Sequence, residues 1–287
     1  MRLETHDKHA LLTFNSIDEL ANVTDQKAPR FIKERIKDES DWYGGAKNWD
    51  ELTRLARKGL TQEGIDALRL SEQNIQEMDR DLIAQTFKSR FSETGSDVDV
   101  ARYLAGEQEC MIDYYQSDIT NTRRVVTLAV GITVHCGISA SAVTKHGQAL
   151  MSLVEAIDRC GLQTEMWADI TIKNGWGDEL GDSYTARIKV LMKSPGGTLD
   201  PTAFMYILTH VGAFRGLGLA ACHEFPDKWC EALNFREGGY YGQPVNRAYR
   251  IEEDYPEETI YIPSISSDRE AGKALNETLQ KLNLINA

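Results

Sequence analysis

Apolar residues are spaced in two different ways along this chain, and the spacing changes near residue 92. Before that point, apolar residues recur three and four positions apart, as on one face of a helix, most clearly from Ile65 to Ile83. Beyond it, the run from Val125 to Val134 is almost continuously apolar, which is typical of a strand covered on both sheet faces. The pattern predicts a helical N-terminal region, residues 1–92, and an α/β domain, residues 93–287.

Capping residues and turn signals place the boundaries of the elements. Asn48 stands before a helical run that ends at Gly59, and Thr61 begins a helix that reaches about Phe87. Further helices are predicted from Ala142 to Arg159, from Pro201 onward, and from Ser267 to Leu282. Strands are predicted at Leu11–Phe14, Cys110–Tyr115, Val125–Val134, Gln163–Lys173, Tyr184–Met192, Leu217–His223 and Thr259–Pro263.

The order of these elements predicts the architecture of the second region. A strand, the helix ending at Arg159 and a second strand form a βαβ unit, and a turn rich in Gly and Asp returns the chain as a hairpin. We therefore expect an α/β fold with a mostly parallel, doubly wound sheet, in which the second hairpin strand, Tyr184–Met192, is an antiparallel edge.

Two short motifs lie where strands are expected to end. The first contains Gly137, Ser139 and Ser141, and the second contains Gly196, Gly197 and Thr198. The pair resembles the metal site of von Willebrand factor A domains, in which an Asp-x-Ser-x-Ser loop and a Thr hold Mg²⁺ or Mn²⁺ for an acidic residue of a protein ligand. The resemblance covers roughly residues 120–287. It implies a von Willebrand A-like domain whose cation is held by Ser139, Ser141 and Thr198.

Gly137 stands where the family has its aspartate, so the resemblance implies a degenerate site with weak affinity or none. Hard cations require oxygen ligands, and Asp200 and Glu224 are the candidates to replace the missing carboxylate. The alternative is structural. Ser139 and Ser141 then cap a helix, and the glycines before Thr198 form a flexible connection.

A second resemblance is carried by the N-terminal half. The segments Trp42–Gly45, Asn48–Leu52, Asp97–Gly106 and Glu109–Met111 are similar to a family of bacteriophage and prophage proteins with no assigned activity. This similarity implies a location in the cytoplasm of a bacterial host, with association with the virion left open.

The net charge of the chain limits the classes of molecule that it is expected to bind. A formal net charge of −12 and a pI near 5.0 disfavour nonspecific binding to nucleic acid. One segment remains a candidate for stacking on single-stranded bases or for contact with a partner protein, because it combines rings with cations: Arg236, Tyr240, Tyr241, Arg247 and Arg250.

The five cysteines show no Cys-x-x-Cys spacing, which favours free thiols in a reducing compartment. A zinc site at Cys222, His223 and Glu224 is disfavoured, because adjacent residues of a strand point to opposite faces. No apolar run reaches the roughly 20 residues of a membrane span, so the sequence predicts a soluble, intracellular protein without membrane contact.

These observations favour a non-enzymatic phage protein that acts through protein contacts or assembly, with self-association as one form of partnership. No catalytic residue can be assigned, and the expected cofactor is either none or weakly bound Mg²⁺ or Mn²⁺. Two alternatives stay open: a divalent-metal-dependent enzyme or nucleic-acid-processing protein, and a single-stranded nucleic-acid binder.

Overall fold

The computed structural model describes residues 1–116, 125–133, 138–174 and 183–270, with positions 277, 278 and 280. Its strands are β1 (Arg2–His6), β2 (His9–Phe14), β3 (Phe87–Ser92), β4 (Asp97–Val98), β5 (Met111–Gln116), β6 (Val125–Gly131), β7 (Gln163–Lys173), β8 (Thr185–Lys193), β9 (Gln243–Pro244) and β10 (Ile260–Ile262). Its α-helices are α1 (Ile17–Lys27), α2 (Arg30–Asp38), α3 (Trp49–Lys58), α4 (Thr61–Thr86), α5 (Val100–Leu104), α6 (Ala140–Arg159), α7 (Pro201–Thr209), α8 (Leu219–Ala221), α9 (Asp227–Ala232) and α10 (Ile251–Asp254). Short 3₁₀ turns cover Ser40–Tyr43, Cys222–Glu224 and Asp268–Glu270, and a π-helix covers Ala213–Gly218.

A mixed sheet organises the molecule. Its strands follow the order β1-β2-β8-β7-β6-β10, and β9 pairs with β7 at the side. From β2 to β10 the pairs are parallel except for β8 with β7, which are antiparallel. The expected α/β class is confirmed, as is the βαβ unit formed by β6, α6 and β7.

The two faces of this sheet differ in chemistry, because successive side chains of a strand point to opposite sides. One face carries Leu12, Phe14, Ile188, Val190 and Ile170, all fully or almost fully buried, and they belong to one core that includes residues of α1, α3, α4, α6 and α7. The opposite face carries buried polar and charged residues, among them His9, Asp169, Thr171, Arg187 and Lys189. Residues 249–255, which include α10, contact this polar face.

Strand β8 is not the edge of the sheet, so that part of the predicted topology is wrong. Its other side is paired in parallel with β2, from His9↔Thr185 to Phe14↔Val190. The reason is that the N-terminal region supplies two strands, of which only Leu11–Phe14 is expected from the sequence, and β1 forms the antiparallel edge instead.

The predicted division at residue 92 does not separate two cores in the described part of the chain. Leu20, Ile36 and Leu52 of the N-terminal helices lie in the same buried cluster as Leu150 of α6 and Phe204 of α7. The segment that stands apart from the main sheet is shorter. It contains β3, β4 and β5, which form a three-stranded antiparallel sheet, together with α5.

The predicted strand Leu217–His223 is helical in the structure, so this prediction is wrong. The π-helix continues directly into α8 and a 3₁₀ turn. Periodicity alone cannot separate a short apolar run in a strand from one in a buried helix. Here the glycines allow close packing, since a Cβ at Gly216 would lie 2.2 Å from Leu52 Cδ2.

The predicted C-terminal helix, Ser267–Leu282, falls mostly outside the described residues, and its first part forms the 3₁₀ turn Asp268–Glu270. No single helix within the described ranges is both long and apolar enough to cross a membrane. Within the same ranges, one pair of helices, Pro201–Thr209 and Ala213–Glu224, reaches that length and composition together, and it is bent by 74° at its break.

Candidate functional site

The residues of the predicted cation site lie in separate places. Ser139 is the N-cap of α6, and its hydroxyl accepts from the Ala142 backbone N–H at 3.2 Å. Ser139 and Ser141 are both exposed. Gly137, together with His135 and Cys136, lies outside the described residues. The first motif therefore performs the helix-capping role that its sequence allows.

The second motif lies at the opposite end of the sheet. Gly196 approaches Gln163, the first residue of β7, whereas Asp169, level with the end of β6, is six residues further along that strand. At about 3.3 Å per residue the two ends are about 20 Å apart. The predicted convergence of Ser139 and Thr198 is wrong. Strand β8 runs antiparallel to β7, so it ends beside the first residues of β7 and far from the end of β6.

The two supporting carboxylates have other partners. Asp200 caps α7 and accepts from the backbone of Thr202 at 2.9 Å and of Ala203 at 3.3 Å. Glu224 accepts from Lys27 Nζ at 2.6 Å. Within the described residues, no group of three or more His, Cys, Asp or Glu side chains is arranged to hold a metal ion.

A different site is formed by three motifs that are far apart in the sequence. A cavity of about 300 Å³ opens between the turn after α2, the π-helix and the loop 236–244. We call it the arginine–aromatic pocket; the lining residues used below are Arg35, Trp42, Arg215, Arg236, Tyr240 and Tyr241. The structure thus brings Arg236, Tyr240 and Tyr241 of the predicted contact segment together, while Arg247 and Arg250 lie outside this lining.

Arg215 forms the base of the pocket. It is 9% exposed, its Nη1 donates to the Trp42 carbonyl at 3.1 Å, and its guanidinium lies 3.9 Å from the centre of the Trp42 indole ring. The π-helix that carries Arg215 is a rare conformation that occurs mostly as single turns, frequently at functional sites. A cation held against an indole at this distance is stabilised by the ring electrons.

Tyr241 fixes the opposite wall. Its backbone has φ 57°, and its ring stacks on Phe235 with centroids 5.5 Å apart. The hydroxyl oxygen lies 2.7 Å from His223 Nε2, and burial raises the pKa of Tyr241. The next residue, Gly242, has no room for a side chain, because a Cβ there would lie 2.5 Å from Ile172 Cγ2. The tyrosine is therefore held in one orientation by local contacts.

The electrostatics of the pocket contrast with those of the whole chain. Three arginines and no aspartate or glutamate appear among its described lining residues, in a protein of net charge −12. Arg35 is held by Glu39 at 2.9 Å, and this carboxylate lies outside the lining. Arg236 and Tyr240 are exposed at the rim. Aromatic rings with guanidinium groups are the chemistry that accepts a flat, negatively charged ligand.

The polar face of the sheet carries a separate, buried ion network. Arg187 Nε lies 2.8 Å from Asp169 Oδ2, its Nη1 donates to Asp254 Oδ2, and the Tyr255 hydroxyl donates to Asp169 at 2.7 Å. His9 Nε2 lies 2.9 Å from Asp254 Oδ2. Burial raises the pKa of Asp254, but the hydrogen bond to His9 and the charge of Arg187 outweigh this effect and lower the pKa overall.

This network also involves Arg250, the last residue of the predicted contact segment. Arg250 has φ 46°, and its carbonyl accepts from Arg187 Nη1 at 3.3 Å, so its backbone helps to close the polar face. The sequence analysis did not identify Arg35, and Trp42 entered it only through the resemblance carried by Trp42–Gly45. The usable signals were aromatic residues beside glycines at 42–45 and 238–242, although nothing local indicates that they meet.

The fold and the pocket define an α/β protein with a mixed sheet and a cationic, aromatic cavity. Comparison with known families matched residues 2–286 to the family described as a domain of unknown function (DUF7192), and the chain belongs to this family. No curated protein and no solved structure matched the chain.

Proposed function

We propose that the chain is a binding protein whose arginine–aromatic pocket takes a ligand with a flat ring and a negative charge, as a nucleotide presents. The observation that carries the proposal is the charge of the lining: its described residues include three arginines and no carboxylate, around aromatic rings, in an acidic protein.

The pocket offers contacts for both the base and the phosphate of such a ligand. The Trp42 ring, with Arg215 held against it, and the Tyr240 ring offer surfaces on which a base can stack. Arg35 and Arg236 offer the donors that a phosphate requires, and arginine is suited to this role because its planar fork matches phosphate oxygens.

The size of the pocket limits the ligand. A volume of about 300 Å³ is at the lower end for small-molecule sites and is far too small for a duplex. The ligand is therefore a free nucleotide or a nucleotide of a single strand whose neighbours continue past the exposed ring of Tyr240. Because the net charge of −12 repels a long polyphosphate, we favour the free nucleotide.

The test is isothermal titration with a nucleoside monophosphate, the corresponding nucleoside and a short single-stranded oligonucleotide. We expect the monophosphate to bind and the nucleoside to bind at least tenfold more weakly, since charged hydrogen bonds contribute about 1.5–3 kcal/mol each. Arg236→Gln and Tyr240→Ala should each weaken binding by about tenfold, because stacking contributes about 1–3 kcal/mol per base.

Arg247→Gln is the matched control, because Arg247 belongs to the same C-terminal segment but lies outside the pocket lining. Equal affinity for nucleoside and monophosphate, or binding that survives both pocket variants, contradicts the proposal. Tighter binding of the oligonucleotide than of the monophosphate, lost in the same variants, identifies a single strand as the ligand.

The wider predictions from resemblance also stay proposals. A von Willebrand A-like organisation is supported by the succession of β6, α6, β7 and antiparallel β8. A non-enzymatic role in protein contact or assembly in a phage setting is compatible with a binding pocket. A partner would then be recognised by the same rings and guanidinium groups, through an acidic and aromatic peptide.

A further inference from the structure

Strand β8 carries three buried cationic side chains: Arg187, Lys189 and Lys193. Arg187 is paired with Asp169 and Asp254, and Lys193 Nζ lies 3.1 Å from Asp158 Oδ2. Lys189 alone has no carboxylate within 4.0 Å in the described part of the chain. It is the exception on its own strand.

The lack of a paired carboxylate is energetically unfavourable at Lys189, because its charged ammonium is buried. The residue is only 6% exposed, and its ammonium donates to the Asp254 carbonyl. The ring centres of Trp167 and Tyr255 lie 5.0 and 4.8 Å from Nζ. Burial is the largest cause of a lowered pKa at Lys189. A buried cation is stabilised best by a paired anion that also accepts its hydrogen bonds.

Lys189 lines an open cleft of about 540 Å³ between β2, β7, β8 and the segment after α10. Two more donors of this cleft have no hydrogen-bond partner among the described residues: Thr13 Oγ1 and Trp167 Nε1. Thr13 is 7% exposed and is paired directly with Lys189 across β2 and β8. Unsatisfied buried donors are uncommon, and two beside a lone ammonium indicate an acceptor-rich ligand.

We propose that this cleft, here called the Lys189 cleft, binds the carboxylate of a small organic acid, with the ammonium of Lys189 as its counter-ion and Thr13 and Trp167 as supporting donors. Trp167, Tyr255 and Pro256 give the cleft apolar walls for the body of the acid. Glu253 at the rim is exposed, and its charge disfavours a doubly charged anion such as phosphate.

The experiment titrates the full chain with benzoate and follows the indole N–H resonance of Trp167 by NMR, assigned with Trp167→Phe. Benzamide, which has the same ring and no charge, is the neutral probe, and inorganic phosphate is the dianionic probe. We expect a saturable shift with benzoate, no binding of benzamide, and binding of phosphate at least about tenfold weaker than that of benzoate, because Lys189 is the buried cation of the described lining, exposed Arg2 is paired with Glu4, and Glu253 lies at the rim.

Lys189→Met should reduce benzoate affinity by more than about tenfold, and Thr13→Val, which keeps the ammonium, by several-fold. Lys33→Met is the matched control, because Lys33 Nζ also donates to a backbone carbonyl, at 2.6 Å, and lies 5.5 Å from the ring centre of Trp49, outside the cleft. It should bind benzoate like the wild type.

Absence of a saturable shift, equal binding of benzamide, or unchanged benzoate affinity in Lys189→Met overturns the proposal. Phosphate binding as tight as that of benzoate overturns the assignment to carboxylates. Because the Lys189 cleft and the arginine–aromatic pocket share no lining residue, each result is independent of the nucleotide test.

Discussion

Acidification should destabilise this protein in part through His146 on α6, the histidine whose pKa burial lowers furthest among the described residues. His146 is 7% exposed, and neither ring nitrogen has a hydrogen-bond partner among the described residues. Burial lowers its pKa from 6.5 to about 4, and the negative charge of Glu270 opposes this only in part. The folded protein therefore holds a neutral imidazole at a pH where the unfolded chain binds a proton.

The sign and size of the effect follow from these two pKa values. Because the folded pKa is the lower one, the unfolded state gains protons first, and stability falls as the pH drops from about 6.5 toward 4. With 6.5 for the unfolded state and about 4 for the folded state, the loss between pH 7 and pH 5 is about 2 kcal/mol. Below pH 4 both states are protonated and the loss stops growing.

The assay is urea unfolding, followed by far-UV circular dichroism at several pH values, for wild type and His146→Leu. The variant fills the site with an apolar side chain that has no group to protonate. Subtracting the two pH profiles removes the contribution of carboxylates that also titrate in acid. Wild type should lose about 2 kcal/mol more than the variant between pH 7 and pH 5. Parallel profiles would refute the reasoning, since they would mean that His146 takes up its proton in the folded state.

Three further substitutions test other parts of the structure. Ser139→Ala should lower the unfolding free energy by about 1 kcal/mol through loss of the α6 cap, whereas exposed Thr198→Ala should change it by less than about 0.5 kcal/mol. A calorimetric Mg²⁺ signal that both substitutions abolish would contradict the separation of the two motifs. Arg187→Met should cost about 3–5 kcal/mol, because it leaves the carboxylates of Asp169 and Asp254 buried without their cation. Urea unfolding measures this loss, and a change below about 1 kcal/mol would mean that the network contributes little.

Local signals predicted individual elements well. Asn48 caps α3 by accepting from the Glu51 backbone N–H at 2.8 Å, Gly59 ends that helix, and β7 has the predicted bounds Gln163–Lys173. Such boundaries can be read from the sequence because a cap and the amides it satisfies are separated by three residues or fewer. The functional assignment had no comparable local basis, since Ser139 and Thr198 are related only through strand direction.

The arginine–aromatic pocket shows what the sequence could not supply. Trp42, Arg215 and Tyr240 belong to segments separated by more than 20 residues in each case, and only tertiary packing brings them together. Aromatic residues beside glycines mark turns, but they do not specify which turns are neighbours. Part of the candidate segment was nevertheless identified, because Arg236, Tyr240 and Tyr241 combine charge and rings within one short loop.

The sequence by itself determined α3, α4, α6 and α7, most strands and the α/β class, because periodicity and capping depend on residues close in the chain. The tertiary structure alone decided the place of β8. Its alternation of Arg187 and Lys189 with Ile188 and Val190 is typical of a strand with one face in water, as at an edge. Instead β2 pairs along its open side and residues 249–255 cover its polar face, so the charges are buried and must find partners within the fold. Long-range pairing of this kind leaves no periodic trace in either segment, and it created both the ion network and the Lys189 cleft.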